Sequence, residues 1–141
     1  MINATFSDSM KKLLLSLTGK EMISYSYAPL QTSNRTYCNL MLSTNDGCIE
    51  IRNEEVPLPF FDSTEDVAVL TCSKIASDDF VPALDAPVKI HPVNEVIQQI
   101  SIVSDLIQVY NKSGKLEYEI QMDQGILIRT PHDTIVIFKA W

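Results

Sequence analysis

The sequence predicts an α+β fold that is predominantly antiparallel β, with one N-terminal helix packed on a curved meander sheet or partly open barrel. Three observations carry this expectation. Apolar residues recur at helical spacing near the N-terminus, at Ile2, Phe6, Met10, Leu13, Leu14 and Leu17. Beyond Gly19 the period changes to two, with Met22, Ser24 and Ser26 alternating with Ile23, Tyr25 and Tyr27. The later runs are short and separated by turn signals, Asn111-Lys112-Ser113-Gly114 and Pro131-His132-Asp133, and sequential strands joined in this way favour a meander.

In chain order, the helix is expected over about 4–18, with Asn3 or Ser7 as N-cap and Gly19 in the left-handed position that stops it. Strands follow at Met22 to Tyr27 and Cys38 to Ser43. Asn45-Asp46-Gly47 then marks a hairpin into Cys48-Ile49-Glu50-Ile51-Arg52, because tight turns that match strand twist need residues tolerant of positive φ. An acidic irregular segment is expected over 54–66, since Val56-Pro57-Leu58-Pro59-Phe60-Phe61 cannot be a central strand when each proline lacks the amide donor. Asp66 to Ile75 reads as a buried strand. The stretch 76–92, with Pro82, Pro87 and Pro92, reads as a second irregular excursion. The β signal resumes at Val96 to Val103, Leu106 to Tyr110, Leu116 to Met122, Ile126 to Thr130 and Thr134 to Ala140.

The chain of 141 residues, 45% hydrophobic and 21% charged, has the size and composition of one globular domain spanning 1–141. A chain of this length removes roughly 68–70% of its unfolded surface from water, enough for a core without disulfides or a structural metal. The net charge of -7 repels phosphate backbones and anionic lipid, so neither a nucleic acid nor a membrane is the expected partner. Cys38, Cys48 and Cys72 are an odd number without CxxC spacing, which fits reduced thiols. Lys11-Lys12 followed by Leu13-Leu14-Leu15-Ser16-Leu17 imitates the start of a secretory signal. The apolar run stops at Thr18-Gly19-Lys20-Glu21, and no stretch approaches the ~20 apolar residues of a bilayer span, so a cytoplasmic location is expected.

The charge is concentrated. Residues 54–85 hold eight carboxylates (Glu54, Glu55, Asp62, Glu65, Asp66, Asp78, Asp79, Asp85) and one base, Lys74, whereas the flanks on either side are nearly neutral. One reading is a solvated flank; the sharper one is an electrostatic face for a basic partner. Phe60-Phe61, stiffened by Pro57 and Pro59 and surrounded by Asp62, Glu65 and Asp66, has the composition of an aromatic anchor in a charged rim. The expected partner-binding set is therefore Glu54, Glu55, Phe60, Phe61, Asp62, Glu65 and Asp66.

Catalytic signals are absent from the pattern. His91 and His132 sit beside prolines with no nucleophile motif near them, and the four scattered glycines assemble neither a phosphate loop nor a dinucleotide fingerprint. Asp78-Asp79 and Glu54-Glu55 lack the loop pattern of a calcium site. The expectation is a small non-catalytic interaction protein without cofactor or metal, binding a basic protein in the manner of an immunity protein, antitoxin or inhibitor. The alternative is a carrier or sensor enclosing a hydrophobic ligand near Tyr25, Tyr27 and Phe138. A homodimer through an exposed strand edge is a further expectation.

Overall fold

The computed structural model describes residues 2–29, 36–60 and 63–139. The elements run β1 (Ile2–Ala4), α1 (Asp8–Leu15), β2 (Glu21–Tyr27), β3 (Asn39–Thr44), β4 (Gly47–Phe60), β5 (Ser63–Ile75), β6 (Lys89–Val96), β7 (Gln99–Tyr110), β8 (Leu116–Arg129) and β9 (Thr134–Phe138). Among the described residues the fold is mostly antiparallel β with one α-helix, as expected. Its strands form two sheets instead of one, and these do not close into a barrel.

The first sheet has the order β5-β4-β3-β2-β6. Its tightest turn is the predicted one: Thr44 pairs with Gly47, whose φ of 113° suits glycine, and the Thr44 hydroxyl accepts from the Asp46 amide and donates to the Gly47 carbonyl. β3 accompanies β4 only as far as Arg52, and the Asn53 amide adds one bond to the Cys38 carbonyl. β4 and β5 run on alone to the pair Phe60↔Ser63. The expected irregular segment 54–66 is therefore largely the end of a long hairpin.

The prolines explain how a strand survives there. The Asn53 amide points toward β3, and N–H direction alternates along a strand, so residues 55, 57 and 59 face away from β5 while 54, 56, 58 and 60 face it. Pro57 and Pro59 thus fall where no ladder donor is needed. They strip donors from an open edge without costing the β4–β5 ladder a bond.

β5 and β6 lie at opposite edges of this sheet. Four antiparallel steps separate them, so they run parallel, and the connection between them must cross the sheet. Residues 76–88 form this strap, beginning with a 3₁₀ turn at Ser77–Asp79. Asn39 pins it: the side-chain amide donates to the Val81 carbonyl (2.8 Å) and accepts from the Ala83 amide (2.8 Å). On the crossed face the neighbouring residues Ser26, Met41 and Glu50 are buried. The irregular excursion expected over 76–92 consequently ends at 88, and Pro92 lies in β6, an edge strand with one side free of ladder bonds.

α1 is shorter than the expected 4–18. Ser7 caps it, accepting from the Met10 amide at 3.2 Å, and Asp8 sits in the first turn where the helix dipole favours an anion. Ile2 to Ala4 instead pair parallel with Ile120 to Met122, since Ile2 and Ala4 also satisfy a period of two. Gly19, at φ 88°, donates to the carbonyl of the fully buried Ile97, where the chain passes from the first sheet to the second.

In the second sheet β8 pairs with β7 on one side and with β9 and β1 on the other. The pairing jumps from Val103↔Gly125 to Ser104↔Asp123, leaving Gln124 without an opposite residue, so β7 and β8 are continuous where separate short strands were expected. This bulge reverses which face the even-numbered residues of β8 occupy. Ile126 and Ile128 join the main core with Leu14, Leu17, Leu40, Leu42 and Ile51. Ile120 and Met122 turn to a second cluster containing Ala4, against which Leu58, Val67 and Val69 of the β4–β5 arm pack. At the reversal the buried Asp123 carboxylate accepts from the Phe6 amide (2.8 Å) and the Ser104 hydroxyl (2.6 Å). Full burial contributes on the order of 1.5–3 kcal/mol per large apolar side chain, so the main core dominates the fold and the second cluster holds the arm to it.

Candidate functional site

The arm carries the predicted acidic set, divided between its two faces. Residues directly opposite in an antiparallel ladder share a face, and Glu55↔Ala68 and Pro57↔Asp66 put Glu55 and Asp66 together. Glu54, opposite Val69, lies on the other face, the one used by Leu58 and Val69 toward the second cluster. Glu65 pairs with Leu58 in the ladder and Phe60 closes it opposite Ser63. Phe61 and Asp62 lie outside the described residues, so the expected aromatic anchor is located only by the strand ends that flank it.

Glu54, Glu55 and Asp66 are exposed, and so are Asp78, Asp79 and Asp85 of the strap. Among the described residues, Glu54 alone of these six has a cation within 4.0 Å, the Arg52 guanidinium, which also lies 3.7 Å from Glu50. Glu50 is the acidic residue that sequence reasoning missed. It is buried beneath the strap and accepts from the Asn39 amide at 2.9 Å. Its alternation with Ile49 and Ile51 marks only a face opposite the core, and nothing local announces that 76–88 will cover that face.

Other titratable groups serve the scaffold. His132 Nδ1 meets the Glu95 carboxylate at 2.5 Å, while the Thr130 hydroxyl donates to the same carboxylate at 2.9 Å, linking β6 to the β8–β9 turn across the two sheets. The His132 contact holds the Glu95 carboxyl below its ordinary range. His91 stacks on Tyr25 with ring centroids 4.8 Å apart, and Tyr27 meets Tyr37 edge-on at 4.7 Å. Burial, helped by Tyr27 and Asp133, raises the Tyr25 phenol, and burial pushes Tyr37 up to about 12. Burial alone pushes the Cys72 thiol up to about 11, which keeps it a thiol, not a nucleophilic thiolate.

The tyrosines expected to line a cavity are packed against one another, and Tyr25 and Tyr37 belong to the main core. Two surface grooves occur elsewhere. One, of about 320 Å³, lies between α1 and the β3–β4 turn and has Leu13, Leu17, Lys20, Asp46 and Lys74 in its walls; the other, of about 290 Å³, involves Ile2 and residues 116–119. Neither includes Tyr25, Tyr27 or Phe138. Among the described residues no three His, Cys, Asp or Glu side chains converge as metal ligands, and no helix is long and apolar enough to cross a membrane. Comparison of the chain with known protein families, curated proteins and solved structures finds no match.

Proposed function

We propose that this chain is a non-catalytic binding protein whose β4–β5 arm and 76–88 strap present carboxylates to a basic protein partner. One observation carries the reading: Glu55, Asp66, Asp78, Asp79 and Asp85 are exposed and have no cation within 4.0 Å among the described residues. Unneutralised charge of one sign raises the local potential, steers an oppositely charged partner and disfavours acidic competitors. The paired strands and the second apolar cluster hold the arm in place before binding, which reduces the ordering cost of association.

The experiment is affinity capture from the source organism at about 50 and 500 mM salt, a range over which the screening length falls about threefold. The captured partner is then used in association kinetics with a Glu54→Lys, Glu55→Lys, Asp66→Lys variant. The expected result is a basic partner released at high salt and an on-rate at least tenfold slower for the variant. An unchanged on-rate removes the proposal.

A further inference from the structure

We infer that the outer edge of β7 is a self-association surface, pairing antiparallel with β7 of a second copy about a two-fold axis. The free edges of the first sheet are protected. The free edge of β4 carries Pro57 and Pro59. On β5, the Lys139 ammonium donates to the Ala68 carbonyl, and α1 packs along the strand, with the Cys72 thiol donating to the Met10 carbonyl. β6 contains Pro92, Lys89 and Glu95, and Asn94 has a left-handed backbone of φ 53° that spoils a regular edge. Prolines, charges and irregular backbone are the devices that prevent strand addition.

Along Gln99–Tyr110 β7 has no proline and one charge, Asp105, and the two register shifts of its ladder put their extra residues, Gln124 and Glu117, in β8. It pairs only with β8, leaving a twelve-residue edge rich in β-branched and aromatic residues. Large apolar side chains gather at this end of the sheet. Leu106 is 44% exposed and Tyr110 54%, with Leu116 directly opposite Tyr110.

Self-complementarity selects a second copy as the occupant: with one charge in twelve residues the edge carries nothing to attract a charged partner, and a β-branched strand matches its own antiparallel copy. Two chains of net charge -7 repel wherever carboxylates face each other, and β7 is a nearly uncharged stretch along which they can approach. A two-fold axis at Ile107 puts Ile107 opposite Ile107, Leu106 opposite Gln108 and each Asp105 opposite Val109. This register keeps the two Asp105 carboxylates apart and joins the two four-stranded sheets into one of eight strands.

The test is sedimentation equilibrium of the full chain between about 1 and 200 μM, with Leu106→Glu and Leu106→Lys variants measured separately and mixed. In the proposed register the two residue-106 side chains are diagonal neighbours on one face, within reach of each other. The expected results are a wild-type dimer and at least tenfold weaker self-association for each variant alone. An equimolar mixture of the variants should recover a dimer, which a folding defect would not allow. A monomeric wild type at 200 μM overturns the inference, as does a dimer that neither variant weakens. A mixture that stays monomeric overturns the register and with it the two-fold pairing. These outcomes do not depend on the acidic arm having a partner.

Discussion

Replacing Asn39 by alanine tests whether the strap is held by one side chain. Asn39 is 3% exposed and makes three hydrogen bonds, to Glu50, to the Val81 carbonyl and from the Ala83 amide. A neutral bond contributes about 1 kcal/mol and one to a charged group about 1.5–3 kcal/mol, giving a gross loss of about 4 kcal/mol. Water reaching the loosened strap returns part of this, so the expected net cost is about 3 kcal/mol, or a drop of about 10 °C in Tm for a domain of this size. Urea denaturation measures the stability, and hydrogen exchange at the Ala83 amide reports the strap itself. Asn39→Asp sharpens the test. It replaces a donor by an oxygen facing the Glu50 carboxylate, so at neutral pH it should cost more than alanine, and the excess should vanish as the pair gains a proton on acidification. A loss below about 1 kcal/mol in Asn39→Ala, with Ala83 protection unchanged, would refute the latch.

Three further outcomes follow from the geometry. Gly125→Ala should destabilise the chain by about 2 kcal/mol in chemical denaturation, because an added Cβ would collide with the Phe138 ring and lie 2.9 Å from the Ile137 carbonyl oxygen. The depressed Glu95 carboxyl contributes stability that is fully present above the ordinary value of 4.5 and lost as pH falls through its lower folded value. Wild type minus Glu95→Gln should therefore show an advantage at neutral pH that fades in acid, read from denaturation midpoints across pH. At pH 8 a thiol reagent should label the half-buried Cys38 and Cys48 well before Cys72, which should react only on unfolding, as followed by mass spectrometry.

The readable parts of this fold were those where one local rule acts alone. The Asn45-Asp46-Gly47 turn and the β3 and β4 alternation depend on neighbours in sequence and lie where the pattern put them; Gly19 takes its expected left-handed conformation, but α1 ends earlier, at Leu15. Ile2 was ambiguous because two residues of apolar spacing fit a strand as well as a helix, and only the parallel pairing with Ile120 decides. Prolines suggested a loop at 57 and 59, but a proline forbids a strand only on the side where its missing donor is needed. Residues 123–125, which fall between the expected strands Leu116 to Met122 and Ile126 to Thr130, form a bulge within one strand. Of the acidic site, the composition was legible, whereas the separation of Glu54 from Glu55 and Asp66 depends on the β4–β5 register. The burial of Glu50 depends on a strap joining distant edges, a tertiary fact with no local signature.

The unpaired Gln124 acts as a frameshift written into the protein. On its C-terminal side the β8 residues read in one phase toward the main core, and on its N-terminal side the same parity is translated into the opposite direction. Deleting that one residue would restore regular pairing from Gln99 to Val109 and yet turn Ile120 and Met122 away from Leu58, Val67 and Val69. The more regular strand would thus be the defective one. Substitutions along β8 can be absorbed one site at a time, but its length between residues 122 and 126 is fixed by the need to address two interiors with a single strand.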